Sequence, residues 1–116
     1  MLTRPILVCL ALAAGSQAAD AAYLQWSKFP VRTQSETTCL RLARDVAQRK
    51  GLQNLRVNAL EVSGTRGSAY VSITCVGRGG GAQAIGMVIV VSDDNGAAVS
   101  TRDDVAAALK GITLID

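Results

Sequence analysis

Between Cys39 and Ala47 the apolar residues Cys39, Leu42, Ala43, Val46 and Ala47 recur every three or four positions, with Arg41, Arg44, Asp45, Gln48 and Arg49 on the other side. That spacing predicts an amphipathic helix. Ser35 or Thr37 can cap it, Glu36 lies where the helix dipole favours an acid, and Gly51 can close it. From Leu55 the period falls to two. Leu55, Val57 and Ala59 alternate with polar neighbours, then the phase slips to Leu60 and Val62, which suggests a bulge or the end of regular pairing. Gly64-Thr65-Arg66-Gly67 reads as a hairpin connection. The next strand alternates cleanly, with Ala69, Val71, Ile73 and Cys75 on one face and Tyr70, Ser72 and Thr74 on the other.

A glycine-rich stretch follows, and then Gln83 to Ser92, which is apolar on both parities. Asp93-Asp94-Asn95-Gly96 reads as a turn. Ser100 or Thr101 is the expected cap of a second helix, with Asp103 and Asp104 in its first turn, a stripe of Val105, Ala108, Leu109 and Ile112, and Gly111 near its end. The expected order is therefore helix, three strands, helix. Laying both helices on the face of Val71, Ile73 and Cys75 gives a two-layer α+β sandwich, a three-stranded antiparallel meander with two helices on one face.

Two segments precede that domain, which is expected over residues 35–116. Residues 1–18 have the layout of a cleaved signal peptide: Arg4, an apolar run from Ile6 to Ala14, and small residues up to Ala18. The run falls short of the roughly 20 residues that span a bilayer, and Leu7-Val8 lacks the small residue expected ahead of a lipidated Cys9. Residues 19–34 hold Tyr23, Trp26 and Phe29, three of the four aromatics in the chain. Pro30 forbids a helix running through them, so they read as an irregular or extended arm.

Cleavage would leave Cys39 and Cys75, an even pair that predicts a disulfide in an exported domain. Cys39 lies on the helix stripe and Cys75 on the covered parity of its strand, so the bridge agrees with both patterns. No histidine occurs in the 116 residues, so a four-ligand zinc site cannot be completed from two cysteines. The same absence removes the usual serine and cysteine triads. No catalytic residue, metal or cofactor is expected. The net charge is +3, with basic residues dominating before Val91 and aspartates after it, a mild asymmetry typical of a solvated surface.

Arg78 with Gly79, Gly80 and Gly81 is a weak anion-site candidate. A phosphate-cradling loop runs from a strand into a helix, whereas the sequence after Gly81 is β-rich, so a hairpin turn is the stronger reading. The element order over 35–112 resembles the double-stranded-RNA-binding domain, whose family places lysines at the start of the second helix. Thr101-Arg102-Asp103-Asp104 stands here instead, and no nucleic-acid partner is expected.

What remains is surface. If the helices cover one face, the sheet should bare Tyr70 beside Val88 and Val90, with Tyr23, Trp26 and Phe29 of the arm as cover or as part of a binding surface. An apolar strip of this kind needs a cover or a partner. The expectation is a periplasmic or secreted, non-catalytic domain that binds another exported or envelope protein. The alternatives are a homo-oligomer assembled through the last strand, and a small anion-binding protein or hydrolase using the Arg78 loop.

Overall fold

The computed structural model describes residues 22–112. The segment read as a signal peptide, Cys9 within it, and the chain after Ile112 lie outside the described residues. The element order is β1 (Tyr23–Pro30), α1 (Glu36–Arg49), β2 (Gln53–Val57), β3 (Glu61–Arg66), β4 (Ala69–Val76), β5 (Ile85–Ser92) and α2 (Asn95–Lys110). The strands form one sheet in the order β1-β5-β4-β3-β2, with every neighbouring pair antiparallel. The protein is thus α+β as the periodicity predicts, but with five strands in place of three.

The two extra strands have identifiable origins. Residues 23–30, expected as an irregular or extended arm outside the sheet, pair with β5 in unbroken register from Tyr23↔Ser92 to Pro30↔Ile85. Pro30 sits at the strand end, on the sheet edge, where its missing N–H costs no ladder bond. The second origin is the phase slip after Ala59, which is a hairpin. Asn58 bends the chain by accepting the N–H groups of Leu60 and Glu61 on its side-chain oxygen, at 2.8 and 2.9 Å. Gly64 to Arg66, read as a connection, belongs to β3, and the turn passes to Gly67-Ser68, where Gly67 has φ of +57°.

α1 starts as expected: the Ser35 hydroxyl accepts the N–H of Thr38 at 3.1 Å. Cys39, Leu40, Leu42, Ala43, Val46 and Ala47 form its buried side. α2 begins earlier than its apolar stripe suggests. Asp94 is the cap, its carboxylate accepting the N–H of Gly96 at 2.9 Å, so the Asp93–Gly96 cluster opens a helix. Asp103 and Asp104 therefore stand inside α2 and not in its first turn.

Both helices lie on one face of the sheet, α1 over β3 and β4, α2 over β5 and β1. Between the layers Val62, Val71, Ile73, Val88 and Val90 of the sheet meet Val46, Val105 and Leu109 of the helices, all but sealed from water. The Cys39–Cys75 disulfide joins α1 to β4 across this core, with Cα atoms 6.0 Å apart and a sequence separation of 36. At Gly86 a Cβ would meet Val31, Phe29 and Leu109 side chains at 3.1–3.3 Å. The missing side chain is what lets the Phe29 ring of the edge strand turn inward and pack under α2.

Candidate functional site

The register assigns every strand residue to a face. Cys75, Ile73 and Val71 of β4 pair with Gly86, Val88 and Val90 of β5, so these β5 residues share the helix-covered side. Val88 and Val90, expected on the open face, are fully buried there. The open parity of β5 is Ile85, Met87, Ile89 and Val91, each half-buried. A strand apolar on both parities carries no internal signal for its orientation, and the pairing with Cys75 decides it.

Alternation along β1 puts Phe29 on the covered side, 5% exposed, with the Lys110 ammonium 5.0 Å from its ring centroid. Tyr23 and Gln25 share its parity. Gln25 ties the strand to α2, its side chain donating to Asn95 at 2.9 Å and accepting from Arg102 at 2.8 Å. Leu24, Trp26 and Lys28 take the opposite parity and stand on the open face. Of the six residues expected to form a binding surface, Trp26 and Tyr70 lie together there. Tyr23 is at the rim on the other side, and Phe29, Val88 and Val90 belong to the core.

The open face is built in rows across the sheet. Leu24, Val91 and Tyr70 form one row; Trp26, Ile89 and Ser72 the next; Lys28, Met87 and Thr74 the third; Pro30, Ile85 and Val76 the last. Leu24 is 60% exposed, Trp26 57%, Val76 52% and Tyr70 47%. Toward β3 the same face turns polar. Ser72 donates to the Glu61 carboxylate, and Ser63 and Thr65 continue the rows. The face is therefore split, apolar over β1, β5 and the near side of β4, hydroxyl-rich beyond. Leu24 and the open-face residues of β5 escape a local reading, because their parity depends on a pairing between distant stretches.

Among the described residues β1 is also an unpaired edge of the sheet. The N–H of Val31 donates to the Ala84 carbonyl at 2.9 Å, across the continuation of the β1–β5 ladder. Backbone groups alternate sides along a strand, so Phe29, Ser27 and Gln25 turn theirs toward β5. Leu24, Trp26 and Lys28 turn theirs to the unpaired edge. β5 itself is paired on both sides, which removes the last strand as an assembly edge.

The glycine loop holds itself. Gly79, Gly80 and Gly81 have φ of +69°, +62° and +79°, and Arg78 Nε donates to the Gln83 carbonyl at 2.6 Å. The anion at this loop is the protein's own: the Glu36 carboxylate accepts the Gly77 N–H at 2.9 Å. No cluster of metal-ligating side chains is found among the described residues. Nor is any helix there long and apolar enough to cross a membrane. A depression of about 750 Å³ between the ends of the helices is lined by Leu42, Gln48, Arg49, Lys50, Ala108 and Ile112. At its margin Asp104 is held below the usual carboxylate range by hydrogen bonds from Arg66 and then Lys50. No protein-family model, curated protein or solved structure matches the chain.

Proposed function

We propose that this is an exported, non-catalytic interaction domain that docks another envelope or secreted protein through the apolar half of its open sheet face. One observation carries the reading. Leu24, Trp26, Tyr70 and Val76, each 47–60% exposed, share a face with Ile85, Met87, Ile89 and Val91 between them. Contiguous exposed apolar surface of this kind marks interaction sites in soluble proteins, and tryptophan and tyrosine are enriched among residues that dominate binding energy. Lys28 at the patch margin supplies a polar rim on the β1 side.

The chain has one tryptophan, so its fluorescence reports this face directly. Trp26 emission should be that of a water-exposed indole and be quenched by added iodide. Crosslinking in envelope extract should recover a partner with the native protein, and that band should be missing with Trp26→Ser or Leu24→Ser. A band that survives both substitutions places the contact elsewhere and sinks the proposal.

A second reading, a homo-oligomer, is favoured by the free edge of β1. Two copies pairing antiparallel along Leu24, Trp26 and Lys28 would join their apolar faces into one. Sedimentation should then show a mass that rises with concentration, and a strict monomer removes this reading while leaving the first in place.

A further inference from the structure

A second surface lies on the helix-covered side, at the other edge of the sheet. A groove of about 370 Å³ runs between α1 and the end of β2, lined by Thr37, Leu40, Arg41 and Arg44 of the helix and by Val57, Asn58 and Ala59. The helix residues after Thr37 follow it by three, four and seven positions, so the four form one stripe along α1. The groove's floor is apolar, with Val57 49% exposed, and no acid lines it. Arg41 and Arg44 are exposed, and their side chains make no hydrogen bond or ion pair among the described residues. Neighbouring like charges on a helix repel slightly. No acid shares their stripe of the helix.

The backbone beside the groove is open as well. Asn58 N–H donates to the Glu61 carbonyl at 3.1 Å, so the groups of Asn58 turn toward β3. By alternation those of Val57 turn away from β3, to the edge that no described strand pairs. Apolar floor, unpaired edge and two unneutralised guanidinium groups thus converge on one strip. A strand laid in such a groove satisfies the edge through its main chain and gains specificity through alternate side chains. Arginine suits this role because its planar fork binds carboxylates in bidentate fashion.

We propose that this groove receives an extended acidic segment of a partner protein, which pairs with the β2 edge at Val57, lays an apolar side chain on Leu40, Val57 and Ala59, and sets its carboxylates against Arg41 and Arg44. The site is separate from the open face and does not depend on the function proposed for that face. The two mutation sets are therefore independent controls for one another.

The test is selection of a random-peptide display library on the purified full chain, followed by anisotropy titration of the recovered peptides. The recovered peptides should alternate acidic and apolar residues. Arg41→Glu combined with Arg44→Glu should weaken them by at least about tenfold, and added salt should weaken them further. Trp26→Ser should leave their affinity unchanged. Selection repeated on the charge-reversed protein should yield basic peptides. Amide shifts on titrating the unaltered protein should centre on Val57, Asn58 and Ala59 and on the Thr37–Arg44 stripe, a readout that does not rely on any variant folding. An empty selection, peptides without acids, affinities indifferent to the two arginines, or shifts centred on the open face would each overturn the proposal.

Discussion

Asp104 belongs to α2, yet its two partners come from elsewhere. Arg66 of β3 donates to one carboxylate oxygen at 2.6 Å, and Lys50, just past α1, reaches the other at 2.9 Å. One carboxylate thus links three elements. Because its pKa is lowered in the folded protein, the linkage contributes stability above the unfolded-state value of about 3.9 and loses it as the pH falls through the lower folded value. All three side chains are about a third exposed, so the contribution is modest, on the order of 1 kcal/mol or less. Asp104→Asn should therefore lower Tm at neutral pH, and the difference from the native protein should shrink as the pH falls below the ordinary carboxylate range. A constant difference across pH would assign the loss to packing. The disulfide contributes more. Closing a loop of 36 residues removes roughly 4 kcal/mol of unfolded-state entropy in the chain-entropy model. Reduction should lower Tm by on the order of 20 °C. Mass after alkylation should show Cys39 and Cys75 modified once reduced and untouched before.

At the scale of elements, β2 is the least secured strand, short, exposed at most positions and paired on one side. Its attachment depends on Gly64 of β3. A Cβ there would meet the Gln53 carbonyl at 2.8 Å and Leu55 at 3.0 Å. Gly64→Ala should destabilise the protein by about 1–3 kcal/mol. Amide exchange should accelerate first at Arg56 and Asn58. This glycine shows where local reading stops. In the sequence Gly64 and Gly67 look alike, two turn formers flanking a hairpin. Gly67 is one, and Gly64 is a contact surface for a neighbouring strand. The helix α1, its Ser35 cap, the β4 alternation and the disulfide are all legible in the sequence, because each rests on residues close together or on a parity shared between two such stretches. The β1 strand is only half legible, since Pro30 excludes a helix and leaves an extended arm open, while its place in the sheet comes from β5. Likewise Val88 and Val90 can be assigned to a face only through the Cys75–Gly86 register. In the candidate surface, Tyr70 follows from the alternation of its own strand, whereas Val88, Val90 and Phe29 turn to the core for reasons held by other strands.

At the scale of the whole molecule, the two helices seal one side of the sheet and leave two surfaces of different chemistry. One is a broad apolar area on the bare face; the other is a narrow cationic channel at the opposite edge. Their separation means that two occupants would not compete for space. The order of the strands carries a further consequence, for time. Among the described residues β1 is the first strand, and its sole sheet partner, β5, is the last. Every rung between them closes a loop that holds all the intervening elements, and the entropy of that closure disfavours early pairing. During synthesis or refolding, β5 must first find β4 and then wait, one flank bare, for the earlier stretch to come back. Pulse-labelled exchange during refolding should protect the β4–β5 amides before those of Gln25 and Ser27. The first strand made is thus the last to be fastened, and for that interval the most apolar strand of the sheet is open to any neighbouring chain that offers an edge of its own.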